Sequence, residues 1–213
     1  TDGLGSGGVV HDLLTAVNLA GATVVDDLTV DGELSTASAG TSNLRLGVNA
    51  GNSIASGGNY NVALGDEAGT AITTGDHNVA IGFESLKTED AHGRNTAVGY
   101  QALKALNAGA DSESTAIGYL AGLSLSTGIE NVLVGGRAGD ALTDADYNTA
   151  VGRGALTTDT KGNKTVAVGT LALASQNFST STDSSNTAVG YAAGTAVTTG
   201  INNTLIGTGS GDA

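Results

Sequence analysis

A short segment returns about every 17 residues along most of this chain. One copy, Asn-Thr-Ala-Val-Gly-Tyr-Gln-Ala-Leu, runs from Asn95 to Leu103. Aligned on its glycine, the segment occurs ten times, with gaps of 18, 17, 17, 19, 17, 17, 17, 21 and 17 residues. Such a period predicts a stacked repeat, in which each unit packs on the next. We call these residues the anchor glycines: Gly47, Gly65, Gly82, Gly99, Gly118, Gly135, Gly152, Gly169, Gly190 and Gly207.

Each unit has a strand signal directly before its anchor glycine. Two aliphatic or threonine residues flank a middle residue, which is Ala in seven copies, Leu at Leu133 and Leu205, and Arg at Arg45. Because side chains alternate across a strand, the flanking pair shares one face and the middle residue takes the other. We expect the flanking face to point into the coil and the alanine face to lie against another copy of the chain.

The rest of the unit predicts one coil of an all-β solenoid, or β-roll, of about ten 17-residue coils. A later apolar position, as at Ile72, predicts a second short strand in each unit. An invariant glycine indicates a positive φ or a corner without room for a Cβ atom. Eight units begin with Asn four residues before the anchor glycine. Stacked at a strand spacing of ~4.8 Å, these asparagines would form a hydrogen-bonded ladder.

Composition limits the alternatives. Gly accounts for 34 of 213 residues and aromatic residues for 3%, so thin layers of small side chains must replace a conventional core. A net charge of −13 argues against nucleic-acid binding, which needs basic residues to neutralise phosphates. We find no apolar run for membrane insertion and no cofactor motif. Residue 1 is not Met, which indicates a processed chain or a fragment.

The pattern divides the chain into a leader, 1–42, and the repeat array, 43–213. The leader starts with a glycine-rich flexible segment. Residues 9–20 fit a helix or a short strand, and residues 23–36 fit a β-hairpin whose turn contains Asp31-Gly32.

The array resembles the repeats of bacteriophage tail fibres and related fibrous adhesins. The resemblance rests on Asn95–Leu103 and on Asn186–Gly194 with the turn Thr198-Thr199-Gly200, and covers about 80% of the chain. The Asn-x-Ala-[Val/Ile]-Gly core is also similar to the head repeats of trimeric autotransporter adhesins, and the leader segment Val25–Gly32 is similar to sequences in trimeric fibre shafts.

These families imply a parallel homotrimer of β-rolls or intertwined β-helices, in a virion tail fibre or at a cell surface. The expected partners are two further copies of the chain, other fibre or virion proteins, and a bacterial surface glycan. The implied function is a structural shaft that presents a host-binding region. A direct receptor- or glycan-binding head is the alternative, and a fibre-borne glycan hydrolase is a third reading.

Glycan contacts are predicted where an insertion lengthens the 17-residue spacing of the anchor glycines or where aromatic residues occur. The longest insertion, 174–185, contains Gln176, Asn177 and Phe178, which suit sugar hydroxyls and rings. A tolerated surface loop is the other interpretation. Aromatic side chains directly after an anchor glycine could stack on sugars or cover the coil edge; they are Phe83, Tyr100, Tyr119 and Tyr191.

Metal and catalytic sites are not predicted. His77 and His92 lie in turns of neighbouring units and could come close, but they lack a matched third ligand. Paired aspartates at 144 and 146 or at 26 and 27 could hold Ca²⁺, although no EF-hand pattern surrounds them. Glu89-Asp90 lies on a turn without the cleft that a glycosidase needs. We therefore expect no enzyme activity.

Overall fold

The computed structural model describes residues 39–212, which form an all-β solenoid without a helix. Its main sheet has ten parallel strands, one from each coil. We call each coil, its strand and turns together, a rung. The leader elements predicted at 9–20 and 23–36 lie outside the described residues. The strands are β1 Leu44–Leu46, β2 Val62–Leu64, β3 Val79–Ile81, β4 Thr96–Val98, β5 Thr115–Ile117, β6 Val132–Val134, β7 Thr149–Val151, β8 Gly162–Asn163, β9 Val166–Val168, β10 Thr182–Asp183, β11 Thr187–Val189 and β12 Thr204–Ile206.

The rungs stack in exact register. Ala63 pairs with Ala80, and Ala80 pairs with Ala97, so equivalent residues lie one above the other. The order of the main sheet is β1-β2-β3-β4-β5-β6-β7-β9-β11-β12. The second strand predicted for every unit is absent from residues 39–212, where the rest of each rung is a run of turns. One exception is the short parallel pair of β8 with β10.

The strand faces are the reverse of those predicted. The middle alanines, such as Ala80 and Ala97, are fully buried inside the roll, whereas the flanking residues are partly exposed. The narrow coil favours a small side chain at the middle position, because Ala or Ser three residues after the anchor glycine also points inward, as at Ala102. The fully buried Leu133 fits at this position beside Gly122 and Gly139. The flanking residues of all ten strands therefore form the outer face of the sheet.

Larger side chains fill the far side of the interior from two positions of the rung. Some rungs have Gly four residues after the anchor glycine and an aliphatic residue three positions later, as in Gly51 with Ile54. A Cβ atom on Gly51 would lie only 2.8 Å from Ile54 Cδ1. Four rungs have Leu at the first position, and their second position is Glu89, Leu106, Asp159 or Gln176. Aliphatic side chains at either position therefore fill this space, and the rung of Leu103 and Leu106 has one at both.

The predicted asparagine ladder and glycine corners are confirmed. The main-chain N–H of Asn61 donates to Asn43 Oδ1 at 2.8 Å, and Nδ2 of Asn61 donates to the Gly75 carbonyl at 2.8 Å. Asn78 N–H then donates to Asn61 Oδ1 at 2.9 Å. All ten anchor glycines have φ between 120° and 141°. Each rung is therefore tied to the next by side-chain as well as main-chain hydrogen bonds.

Candidate functional site

The longest insertion does not expose the side chains predicted to meet a sugar. Phe178 is only 6% exposed and Gln176 is fully buried, so the prediction of a sugar-binding loop is wrong for both. Phe178 covers Gly162, where an added Cβ atom would lie 2.9 Å from Phe178 Cδ2. Asn177 is exposed, and the extra residues emerge at 179–181.

A closed polar network explains the burial of Gln176. Its Nε2 donates to Asp159 Oδ2 at 2.6 Å, and its Oε1 accepts from Asn186 Nδ2 at 2.8 Å. Asp159 Oδ1 accepts from the main-chain N–H groups of Gly162 and Phe178, both at 3.1 Å. Buried polar groups are tolerated when they are paired in this way. The network therefore holds the insertion in place and offers no free group to a ligand.

Three aromatic rings stack on the surface along consecutive rungs. The ring centroids of Phe83 and Tyr100 are 5.4 Å apart, as are those of Tyr100 and Tyr119, with interplanar angles of 17° and 18°. The three residues, which we call the aromatic column, are about half exposed. Tyr191 has the same place in a later rung, outside the column, and is also exposed. Both faces of Tyr100 are covered by its neighbours, so the free ring faces lie at the two ends of the column.

The column ends in a gap at Gly136. This glycine has the position that the aromatic rings have in the three preceding rungs. A Cβ atom on Gly136 would have Tyr119 O, at 4.0 Å, as its nearest neighbour, so the position is open. The following rung has the exposed Arg153 there. Tyr119 and Arg153 are thus two rungs apart, ~9.6 Å at the usual strand spacing, without a side chain in the column between them.

Glu89, Asp90 and His92 form a cluster of possible metal ligands, the one such group found among residues 39–212. One ligand atom of each lies within 4.8 Å of those of the other two. Glu89 is fully buried, with Oε1 3.6 Å from Nδ1 of His92. Glu89 Oε2 and His92 Nδ1 are both buried without a hydrogen-bond partner. Burial raises the pKa of Glu89, against the smaller opposing effect of main-chain N–H groups. We call these three residues the Glu89 cluster.

The other candidate ligands do not belong to this cluster. The ring of His77 stacks on Tyr60, with centroids 5.0 Å apart. Asp146 accepts a main-chain hydrogen bond at 2.9 Å, and Asp144 lies 3.4 Å from a lysine amino group. The aspartates at 26–27 lie outside the described residues.

Sequence reasoning placed Glu89 on a turn and missed its burial. The available signal was its place seven residues after the anchor glycine, where other rungs have buried aliphatic residues such as Ile72 and Leu106. A charged residue at a repeat position that is apolar in most rungs predicts a buried charge, which needs a partner. The burial of Glu89 can be predicted by comparing it with the residues at the same position in other rungs, instead of with its neighbours in the sequence.

No protein-family model, curated protein or solved structure matches this chain. Within residues 39–212, no helix is long and apolar enough to cross a membrane.

Proposed function

We propose that this chain is a shaft segment of a homotrimeric fibre, a viral tail fibre or a surface adhesin, that presents a host-binding region. The outer face of the ten-stranded sheet carries this proposal. Every outward strand position, two in each strand, is Val, Leu, Ile or Thr. Parallel sheets are normally covered on both faces. Within residues 39–212 only the inner face is covered, by the roll itself, so the outer face calls for a second layer.

The outer face supplies about half of the area of a standard chain-to-chain contact. Ten strands at ~4.8 Å give a stripe about 43 Å long, and three-residue strands make it roughly 10 Å wide. This area of about 430 Å² is half of the ~800 Å² that each partner buries in a standard interface. Turn residues beside the stripe must contribute, and the exposed Val48 and Ile201 are available. Identical, in-register faces on three copies can close around one axis without leaving an open edge.

The assembly is tested by the mass in solution, measured by light scattering coupled to size exclusion. We expect the mass of three chains, and the mass of a single chain would contradict the proposal. Val98→Lys puts a charge in the middle of the outer face and should dissociate the trimer. Ser175→Lys, on an exposed turn away from the sheet, is the matched control and should leave the mass unchanged. Equal masses for the two variants would place the interface elsewhere.

A glycan-binding role is the second candidate, and the gap at Gly136 favours it. Sugar rings stack their apolar faces on aromatic side chains, and the gap exposes one face of Tyr119. Arg153, on the other side of the gap, offers hydrogen bonds to hydroxyl or carboxylate groups. A slot of ~9.6 Å between two side chains admits one sugar ring with a contact on each side. The proposal includes no catalysis, so turnover of a capsular polysaccharide would contradict that part.

The glycan role is tested by filling the slot. Gly136→Tyr should extend the aromatic column by one ring, because Gly136 has open space and is not among the residues with positive φ. On an oligosaccharide array we expect this variant to fold normally and to lose binding. Tyr191→Ala, outside the column, should keep it. Unchanged binding by Gly136→Tyr would exclude the slot, while the shaft role would stand on the trimer mass alone.

A further inference from the structure

The Glu89 cluster differs from equivalent buried positions in the same solenoid. Asp159 and Gln176 also lie seven residues after an anchor glycine, and every side-chain polar atom of both has a hydrogen-bond partner. Glu89 is equally buried, yet its Oε2 has none. His92 Nδ1, across from Glu89 Oε1, is likewise unpartnered. Unpaired buried polar atoms destabilise a fold, so this arrangement is the one expected of a ligand-binding site without its ligand.

We propose that Glu89, Asp90 and His92 bind one divalent first-row transition-metal ion, for which Zn²⁺ is the best match. Tetrahedral Zn²⁺ with bonds of ~2.1 Å places its ligand atoms roughly 3.4 Å apart. Glu89 Oε1 and His92 Nδ1 are already 3.6 Å apart. The Asp90 oxygen is within 4.8 Å of both, and Asp90 is partly exposed, so a side-chain rotation brings it into range. The ion would place a positive charge beside the buried Glu89 carboxylate, whose Oε2 has no hydrogen-bond partner.

The ligand set distinguishes the type of ion. One imidazole nitrogen with two carboxylates suits Zn²⁺ and its neighbours, whereas Ca²⁺ takes six to eight oxygen ligands. Three protein ligands leave one position of a tetrahedral ion for water. The His92 side chain is 30% exposed, so the ion can enter from solvent while Glu89 holds it from inside.

The test is calorimetric titration of the full chain, first stripped with a chelator, with ZnCl2. We expect one ion per chain, and saturation to raise Tm by about 5–10 °C at 100 times Kd. CaCl2 should give no binding in the same range. One ion per three chains would overturn the proposal, because it would place the metal on an assembly axis. So would the absence of Zn²⁺ binding at millimolar concentration.

Variants separate a built site from surface adsorption. Glu89→Gln has nearly the same shape and should weaken Zn²⁺ binding at least about 10-fold. His92→Ala should do the same, whereas His77→Ala, which alters a turn histidine outside the cluster, should bind as the wild type does. Metal-free Tm values show whether each variant is folded. If Glu89→Gln folds and binds Zn²⁺ with unchanged affinity, the ion is held by exposed groups alone and the proposal fails.

Discussion

At an anchor glycine, the backbone conformation and the next rung both exclude a side chain. Gly99 has φ of 136°, and a Cβ atom there would lie 2.4 Å from the carbonyl oxygen of Gly118. Gly207, in the last rung, has φ of 120° but nothing within 4 Å of such an atom. These two glycines separate the cost of the conformation from the cost of the contact.

We expect Gly99→Ala to destabilise the chain by at least about 3 kcal/mol, because strain and a backbone clash add together. Gly207→Ala adds only the strain, about 1–2 kcal/mol. Urea denaturation followed by circular dichroism measures both. Equal losses would mean that the contact between rungs is relieved by a small shift.

The asparagine ladder pairs buried main-chain groups of neighbouring rungs. Asn61→Ala leaves the main-chain N–H of Asn78 and the carbonyl of Gly75 without their partners. Each buried group left without a partner costs about 1–3 kcal/mol, so we expect a loss of about 2–6 kcal/mol in the free energy of unfolding. Asn61→Ser should cost less, because Ser114 serves as the natural acceptor for Asn131 N–H at 3.2 Å. A serine variant no better than the alanine variant would show that the Nδ2 bond dominates.

The ladder and the glycine corners could be predicted because each role admits few residue types. The backbone conformation of the residue two positions after the anchor glycine could not be predicted. This residue has positive φ in every rung, yet it is Gln101 in one rung and Leu120 in the next, with φ of 55° and 58°. Main-chain hydrogen bonds to the previous rung fix it, as from Leu120 N–H to the Tyr100 carbonyl at 3.0 Å. The stack imposes this conformation on any side chain, so composition does not reveal it.

For each strand, the sequence predicts that side chains alternate between two faces. It does not predict which of the two faces lies inside the coil. A period of two identifies two faces, and both are apolar here, as in Val79-Ala80-Ile81. The width of the coil decides, since a narrow interior accepts the methyl group of Ala80 and leaves the branched residues outside. Coil width depends on the turns, whose path the sequence pattern does not specify. The same correction moves the predicted contact between copies from the alanine face to the branched face.

Between rungs, an ion-pair group joins three successive coils. Glu84 lies 2.7 Å from Lys104 and 2.7 Å from Lys87, and Lys87 lies 3.4 Å from Glu67. Hydrogen bonds from Lys104 and then Lys87 lower the pKa of Glu84 from 4.5 to about 2. A lowered carboxyl pKa adds stability above the ordinary value, and that stability disappears as the pH falls towards the lowered one.

Glu84→Gln should therefore lower Tm at pH 7, and its difference from the wild type should shrink between pH 4.5 and 2. The difference should also shrink in high salt. Glu130→Gln is the control: Glu130 has the same φ of 53°, is exposed, and takes part in none of the ion pairs of residues 39–212. A difference that stays constant from pH 7 to 2 would show that the effect of Glu84 is packing instead of charge.

Across the whole solenoid, insertions that lengthen a rung lie in the turns and leave the stacking of the strands unchanged. The insertion of two residues before Gly118 emerges around Gly109, which has open space. The larger insertion before Gly190 is tied down by the buried Gln176 network and by β10. The number of rungs and the insertion sites could be read from the spacing of the glycines. The burial of Phe178 could not be predicted from this spacing, because it depends on Gly162 in the preceding rung.

Because each rung contacts only its neighbours, removing one whole rung should leave a working solenoid. Deleting residues 66–82, 17 in all, joins Gly65 to Phe83 in register. Leu86 then meets Gly51 and Ile54, which have the same positions as its present neighbours Gly69 and Ile72. We expect a folded β protein with a slightly lower Tm and a solenoid shorter by ~4.8 Å, measured by small-angle scattering.

Deleting residues 66–80 instead removes less of the chain but leaves Ile81 and Gly82 directly after Gly65. Two extra residues then lie at the tight corner, where the next rung leaves no room for a Cβ atom. We expect this shorter deletion to be the more destabilising of the two, measured by Tm and by far-ultraviolet circular dichroism. If both deletions fold equally well, the corner tolerates insertions, and register along the solenoid is set by the strands instead of by the anchor glycines.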